Sequence, residues 1–302
     1  MKDLTLKQLH FLAATARSGS LAGAAASMHV TAPAIAQQLR LLERFIGLTL
    51  IERGPAGQYA TQAGQVLLEA TARIDAELAA CAEELAAIRF ARTGKVTIGA
   101  VSTAKYFAPH VLGSFGRKHP DVTVALSIGN RIDVLNKLEN YDIDLAIMGR
   151  PPARLEVEQE VVGDHPYVII AAPHHRLVGV SKVPFAQVAA ESFLIREEGS
   201  GTRLHLDSLF SKAELPTNVG MEISSNETIK QAVMAGMGVA LISAHTIAAE
   251  VHDGRLAVLD VAGLPIMRHW LVVRMARKST SPATALLWDF FVTQASGQLP
   301  KI

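Results

Sequence analysis

Apolar positions in the first fifty residues fall at helical spacing three times over. Leu6, Leu9, Ala13 and Ala16 share one face, Leu21, Ala24, Ala25 and Met28 a second, and Ile35, Leu39, Leu42 and Ile46 a third. The residues ahead of each run suit helix starts. Thr5 with Gln8 is a capping-box pattern, Ser20 can cap the second helix, and Thr31 with Pro33 can open the third. Beyond Gly47, residues 48–53 and 58–60 read as short strands around the turn Gly54, Pro55, Ala56, Gly57, a wing beside a helix-turn-helix. Thr61 can cap a long helix running to about Ala91. Along it Leu67, Ile74, Leu78, Cys81, Leu85 and Ile88 pass into alternating steps of four and three, a heptad seam that calls for a second helix and predicts dimerisation. Cys81 on that seam is expected to be buried and structural.

From Gly94 the pattern changes to strand then helix, repeated. Strands are predicted at 95–101, 122–128, 144–148, 167–172, 193–196, 219–224 and 239–243. Between them fall a helical stretch broken at Pro109, a helix carrying Ile132, Leu135 and Leu138, one opened by residues 199–203, and one from Asn226 to Met237. Two open α/β subdomains follow, with ligands expected at the carboxyl ends of the strands.

Composition narrows the function. The 302 residues carry a net charge of only +1, so any affinity for nucleic acid must be local. Before residue 60, Lys2, Lys7, Arg17, Arg40, Arg44 and Arg53 stand against Asp3, Glu43 and Glu52. The third helix turns Pro33, Gln37, Arg40 and Arg44 outward, with Ala36 beside them, which suits a helix entering a DNA major groove by its N-terminal end. Arg53, placed at the base of the wing, could reach phosphate or the minor groove. An ordinary helical hairpin with a solvated face would show the same spacing. Cys81 is the one cysteine, which excludes internal disulfides and Cys-rich zinc sites and fits a reducing compartment. Neither a secretory h-region nor an apolar run of membrane length is seen, so a cytoplasmic protein is expected.

Four strand-to-helix junctions carry small hydroxyl, amide or basic residues: Ser102 and Thr103, Asn130 and Arg131, Ser200 to Arg203, Asn226 and Glu227. Free N–H groups and the helix dipole make each a place for an anion, and Arg150, Arg196 and His269 add charge near strand ends. A carboxylated or phosphorylated metabolite is the guest this implies, although each residue singly is more often a helix cap. Enzyme signals such as HExxH, GxSxG and Walker A are not found. His174 and His175 read as surface loop residues, and Lys230 with Glu227 as a solvated ion pair.

The order of these parts resembles the LysR-type bacterial transcriptional regulators over essentially the whole chain, through LKQLHFL, SGSLAGAA, TAPAIAQQLRLLE and the wing running to TQAG. The stretches VSTAKYFAP, GNR, DLAIMGRPP, EGSGTR, SNETIKQAVMAGMG and GLPIMRHW are similar to the subgroup controlling Calvin-cycle (RuBisCO) operons. The resemblance implies a winged helix-turn-helix over 1–60, a dimerising linker helix over 61–92, and an α/β effector domain of two periplasmic-binding-protein-like subdomains. These would be residues 93–163 with 266–302, and residues 164–265. It implies DNA contacts from Thr31, Ala32, Pro33, Ala36, Gln37, Gln38, Arg40 and Arg53. Where the family usually has glutamine or proline and then serine, this chain has Ala32 and Ala36, leaving more of the base reading to Gln37, Gln38 and Arg40. Ile51 replaces a common phenylalanine. The effector residues implied are Ser102, Thr103, Lys105, Asn130, Arg131, Gly149, Arg150, Arg196, Ser200, Gly201, Thr202, Arg203, Asn226 and His269. They would take a phosphorylated Calvin-cycle metabolite or NADPH, with no metal, resident cofactor or catalysis. The partners implied are double-stranded promoter DNA, a second copy through the linker helix and further copies in a homotetramer, with RNA polymerase a candidate and no membrane. A regulator of another operon answering a small carboxylate, a solute-binding protein and an enzyme with a regulatory head are the competing readings.

Overall fold

The computed structural model describes residues 4–55, 57–90 and 94–300. They fall into two compact units, 1–82 and 83–302.

In the first unit, α1 (Leu6–Ser18), α2 (Leu21–Met28) and α3 (Ala32–Ile46) surround Phe11, Leu12, Ala24, Ile35, Leu39, Leu42 and Leu50, all buried. The expected caps form at Thr5, whose hydroxyl and Gln8 satisfy each other's backbone N–H, and at Ser20, which accepts from the Gly23 N–H at 3.0 Å. Thr31 occupies the N-cap position of α3, yet its side chain makes no capping bond; Pro33, lacking an N–H, leaves one fewer donor there to satisfy. The wing is β1 (Ile51–Gly54) paired with β2 (Gly57–Ala60), so residues 48–50 stay outside it. Register pairs Arg53 with Gln58, one step from the turn; the arginine is near the tip of the wing, not its base. Ala56 in that turn lies outside the described residues. Gly57, at φ +118, passes so close to Gly19 that a Cβ would lie 2.6 Å from the Gly19 carbonyl oxygen, which is why no other residue fits.

The long helix α4 (Gln62–Phe90) is capped by Thr61, which accepts from the Gly64 N–H at 3.1 Å; its 29 residues span roughly 43 Å. Ala91, where the helix was expected to end, is outside the described residues. Leu67 leaves the expected seam and packs on the α1–α3 core. Ile74, Leu78, Cys81 and Leu85 are exposed in the single chain, where no second helix covers the seam on which Cys81 was expected to be buried; the Ile88 side chain lies outside the described residues.

The second unit is built on a seven-stranded mixed sheet. Along the chain run β3 (Gly94–Val101), α5 (Ala108–Lys118), β4 (Val122–Gly129), α6 (Arg131–Glu139), β5 (Leu145–Met148), β6 (Val157–Ala171), α7 (Phe185–Ala189), β7 (Phe193–Arg196), α8 (Gly201–Ala213) and β8 (Val219–Ile223). Then come α9 (Asn226–Met234), β9 (Ala240–Ser243), α10 (Ala248–His252), β10 (Ala257–Val258), β11 (Ile266–Met275) and α11 (Pro282–Gln294). Pro109 starts α5 instead of breaking a helix, since a proline is tolerated in a first turn. α9 stops at Met234 rather than Met237, three residues before Met237, because Gly236 and Gly238 follow at positive φ.

The larger differences are β6 and β11. β6 begins ten residues before the strand expected at Tyr167, and β11 was not read as a strand at all. They pair antiparallel from Ile266–Tyr167 to Met275–Val157, with an irregularity between Trp270 and Leu271. β11 also joins β5, and β6 also joins β9 and β10, so the two strands run from one lobe into the other. One lobe has cores on both faces of β3–β5, under α5 and α11 on one side and α6 on the other; the second has its cores about β6, β7 and β9. Residue 163 lies within β6 and residue 266 opens β11.

Candidate functional site

On the first unit, α3 turns Thr31, Pro33, Gln37, Arg40 and Arg44 to solvent, with Ala32, Ala36 and Gln38 half-buried. Arg40 and Arg53 form no ion pair among the described residues. Gln38 is less available than expected: its Oε1 accepts from Gln8 Nε2 at 3.2 Å, fastening α3 to α1. Glu43, at the far end of α3, accepts from the Leu50 and Ile51 N–H groups at 2.8 and 3.3 Å. One carboxylate thereby fixes where the wing leaves the helix.

The second unit holds a cavity of about 530 Å³ where the two lobes meet. Of the expected residues, Ser102, Thr103, Asn130, Arg131, Gly149, Arg150, Ser200, Gly201, Thr202 and His269 line it. Asn130 caps α6 through a reciprocal pair with Asp133, and Ser200 stands at the N-cap position of α8 with no capping bond of its own. The first N–H groups of α8 have no intrahelical acceptor and open toward a negative guest. Arg131 faces them. Its Nη2 donates to the Arg150 carbonyl at 2.8 Å, while its Nη1 is buried with no partner. Burial disfavours the charged guanidinium and lowers its pKa. Ile132 is 50 % exposed and reaches the loop of the opposite lobe, where a Cβ on Gly199 would meet it at 2.7 Å.

Four expected residues lie outside the cavity wall. Arg196 is buried and already satisfied: it donates to both oxygens of Glu197 at 2.7 and 2.8 Å, to the Ser224 carbonyl at 3.2 Å, to Asn226 Oδ1, and to Ser102 Oγ at 3.4 Å. With Asn226 Nδ2 donating to Ser102 at 3.3 Å, these two residues tie the lobes together and offer no free charge. Arg203 is occupied by Asp207 and Glu222, and Lys105 pairs with Glu227 at 3.8 Å. Lys230 corrects another expectation. It is 2 % exposed and bonds Glu250 at 2.8 Å, the Thr246 carbonyl at 3.0 Å and Glu227 at 3.0 Å, so its ammonium is buried while Glu227 stays half-exposed. Tyr106 donates to Glu227, and burial together with that carboxylate raises the phenol's pKa.

The sequence reading missed Gln159, His165, Tyr167, His205 and Arg268, which also line the cavity. His165 is buried, stacked on Trp270 with ring centres 3.7 Å apart, and bonded through Nε2 to Ser243 Oγ at 2.9 Å. Trp270 Nε1 donates to His245 Nδ1 at 3.0 Å. Burial holds His165 well below the usual imidazole value, aided by His245 and His205; burial, then Arg268 and Arg131, bring His205 to about 4, and burial also lowers His245. Each imidazole charges more readily unfolded than folded, so their contribution is complete above about pH 6.5 and shrinks as the pH falls below it. Urea denaturation of the ligand-free protein should therefore show stability falling from pH 7 to pH 5, and less steeply in His165→Gln. The signal in sequence was the alternation of His165 and Tyr167 ahead of an apolar run, legible only once Tyr167 is known to continue a longer strand.

A solvent-facing helix with a wing in one unit and an anion-accepting cleft between lobes in the other are the parts of a ligand-responsive DNA-binding regulator. Residues 6–65 match the bacterial regulatory helix-turn-helix protein, lysR family, and residues 91–296 the LysR substrate binding domain. The chain belongs to the LysR family of transcriptional regulators. It is 46 % identical to the HTH-type transcriptional regulator CbbR of Xanthobacter flavus over 99 % of this chain and 90 % of that one. It is 36 % identical to the RuBisCO operon transcriptional regulator of Allochromatium vinosum over 97 % of each. The regulatory domain of CcmR from Synechocystis, solved in complex with 2-PG (2-phosphoglycolate), aligns with TM-score 0.64 and 36 % identity over 66 % of this chain and 96 % of that one. Full-length CbnR, solved with its target DNA, shares the fold at TM-score 0.64 and 20 % identity over 97 % of this chain and all of that one. Among the described residues no helix is long and apolar enough to cross a membrane, and no group of three or more His, Cys, Asp or Glu is placed to hold a metal ion.

Proposed function

We propose that this protein controls carbon-fixation genes, acting in the cytoplasm as a homotetramer paired through α4, and that a small phosphorylated acid in the cleft sets its state. The observation that carries the effector class is the buried, unpartnered Nη1–H of Arg131 opposite the N-terminus of α8: two sets of donors awaiting one anion. A cavity of about 530 Å³ suits a metabolite of modest size better than a nicotinamide dinucleotide. The relative solved with 2-phosphoglycolate supports the same class. Gln37, Arg40 and the wing-tip Arg53 are the DNA contacts, Arg53 toward the phosphate backbone.

The test joins two measurements on the full-length protein. Calorimetry against 2-phosphoglycolate, ribulose bisphosphate, phosphoenolpyruvate and NADPH should give saturable binding of the small phosphorylated acids; binding of unphosphorylated carboxylates alone would favour a regulator of another operon. Mobility shifts on a promoter fragment from the organism's carbon-fixation operon should weaken with salt. Gln37→Ala should cost about 1–3 kcal/mol on the specific site, while Arg53→Ala should reduce the salt slope by about one. Unchanged affinity in both variants would remove α3 and the wing from the interface.

A further inference from the structure

His205 lies in the second turn of α8, at the cavity wall. The groups facing it are Arg131 from α6, Tyr167 and His165 from β6, and Arg268 from β11, with His245 behind His165. Its ring meets Tyr167 edge-on at 4.6 Å. Half-burial in the wall, the two guanidiniums and the edge of the Tyr167 ring make its surroundings. Each of these opposes a charge on the imidazole while the cleft is empty, and His205 stays neutral. His165 extends this neutral patch inward: it lines the cavity, and its Nδ1 is buried without a partner.

A phosphoryl dianion among the same groups reverses the balance. It offsets Arg131 and Arg268, whose repulsion adds to burial in keeping the imidazole uncharged, and supplies a partner for an imidazolium N–H. We propose that His205 takes up a proton when a phosphorylated guest binds, so that the residue selects a doubly charged phosphoryl group over a singly charged carboxylate. This rests on the cleft being the effector site. The proton comes from solvent, and no covalent bond changes. A carboxylate cancels one positive charge and leaves the other guanidinium facing the ring, so the same uptake does not follow. His205 thereby becomes a donor only for the guest whose charge warrants one, and the empty cleft avoids adding a charge beside Arg131 and Arg268.

The experiment is calorimetry of the full-length protein with 2-phosphoglycolate at pH 7.5, in two buffers of different ionisation enthalpy, and then from pH 7.0 to 8.5. Above pH 7 the free phosphate is mostly dianionic, with a second pKa near 6. The wild type should take up close to one proton per site, with affinity rising by up to about tenfold per unit of falling pH. His205→Gln keeps a donor but cannot titrate; it should bind more weakly, with no buffer dependence and a flat pH profile. Equal uptake in the variant would place the proton on the ligand or elsewhere and overturn the proposal. If the variant does not bind, the wild-type profile decides: a slope near one supports uptake and a slope near zero overturns it. Saturable binding without uptake removes the proton step and leaves the effector site standing. Absence of binding by the wild type removes both.

Discussion

Arg131→Ala is expected to weaken binding of 2-phosphoglycolate by about 2–5 kcal/mol, the cost of truncating one member of a desolvated charge pair. The guanidinium reaches the cleft with Nη2 held by the Arg150 carbonyl and Nη1 buried without an acceptor. Such a donor is a cost to the empty protein and a gain to the complex, because the guest's oxygen completes it. The ligand-free variant should therefore lose little stability in urea, or none, while calorimetry shows the fall in affinity. Arg131→Lys should not restore it, since an ammonium cannot hold the Arg150 carbonyl and the guest with the same planar fork. Affinity within threefold of the wild type in Arg131→Ala would move the anion's partner elsewhere in the cleft.

Lys230→Met is expected to destabilise the second unit by about 3–5 kcal/mol, the usual result of breaking a buried ion pair from one side. Lys230 is 2 % exposed and holds Glu250, itself 8 % exposed, at 2.8 Å. Its ammonium also lies 4.9 Å from the Tyr106 ring centre, which brings residues 104–106 of one lobe to α9 of the other. Removing the lysine strands the Glu250 carboxylate. Adding Glu250→Leu should recover much of the loss, because the stranded charge causes most of it. Urea denaturation of the three variants measures this. A double variant no more stable than Lys230→Met would place the effect in packing instead.

The helix-turn-helix was legible in sequence because its determinants are local. Thr5 with Gln8, Ser20 and the spacing of Ile35, Leu39 and Leu42 act within a turn or two of where they stand. The cleft was half legible for the same reason. Residues 102–103, 130–131 and 200–202 sit at strand-to-helix junctions, and short-range patterns locate junctions. What failed was pairing between distant segments. β6 and β11 are partners about a hundred residues apart, so neither His165 nor Arg268 could be placed at the cavity from neighbouring sequence. Burial failed likewise: Glu197 stands next to Arg196 and Glu227 three residues before Lys230, yet that both cations are buried depends on Asn226 and Glu250, 30 and 20 residues further on. Arg53 adjoins the turn at residues 54–57, which puts it near the tip of the wing wherever the strand begins.

β6 and β11 cross between the lobes as an antiparallel pair whose register shifts just past Trp270, which stands opposite Gly163. Gly163 has φ +155, and a Cβ there would lie 2.3 Å from Leu299 Cδ1, so a side chain at this point would have to displace Leu299. A doubly hydrogen-bonded ribbon resists stretching and shear but yields readily to torsion. The lobes are held together by it, and any turning about it must first break the bonds that Arg196 and Asn226 make to Ser102 across the cleft.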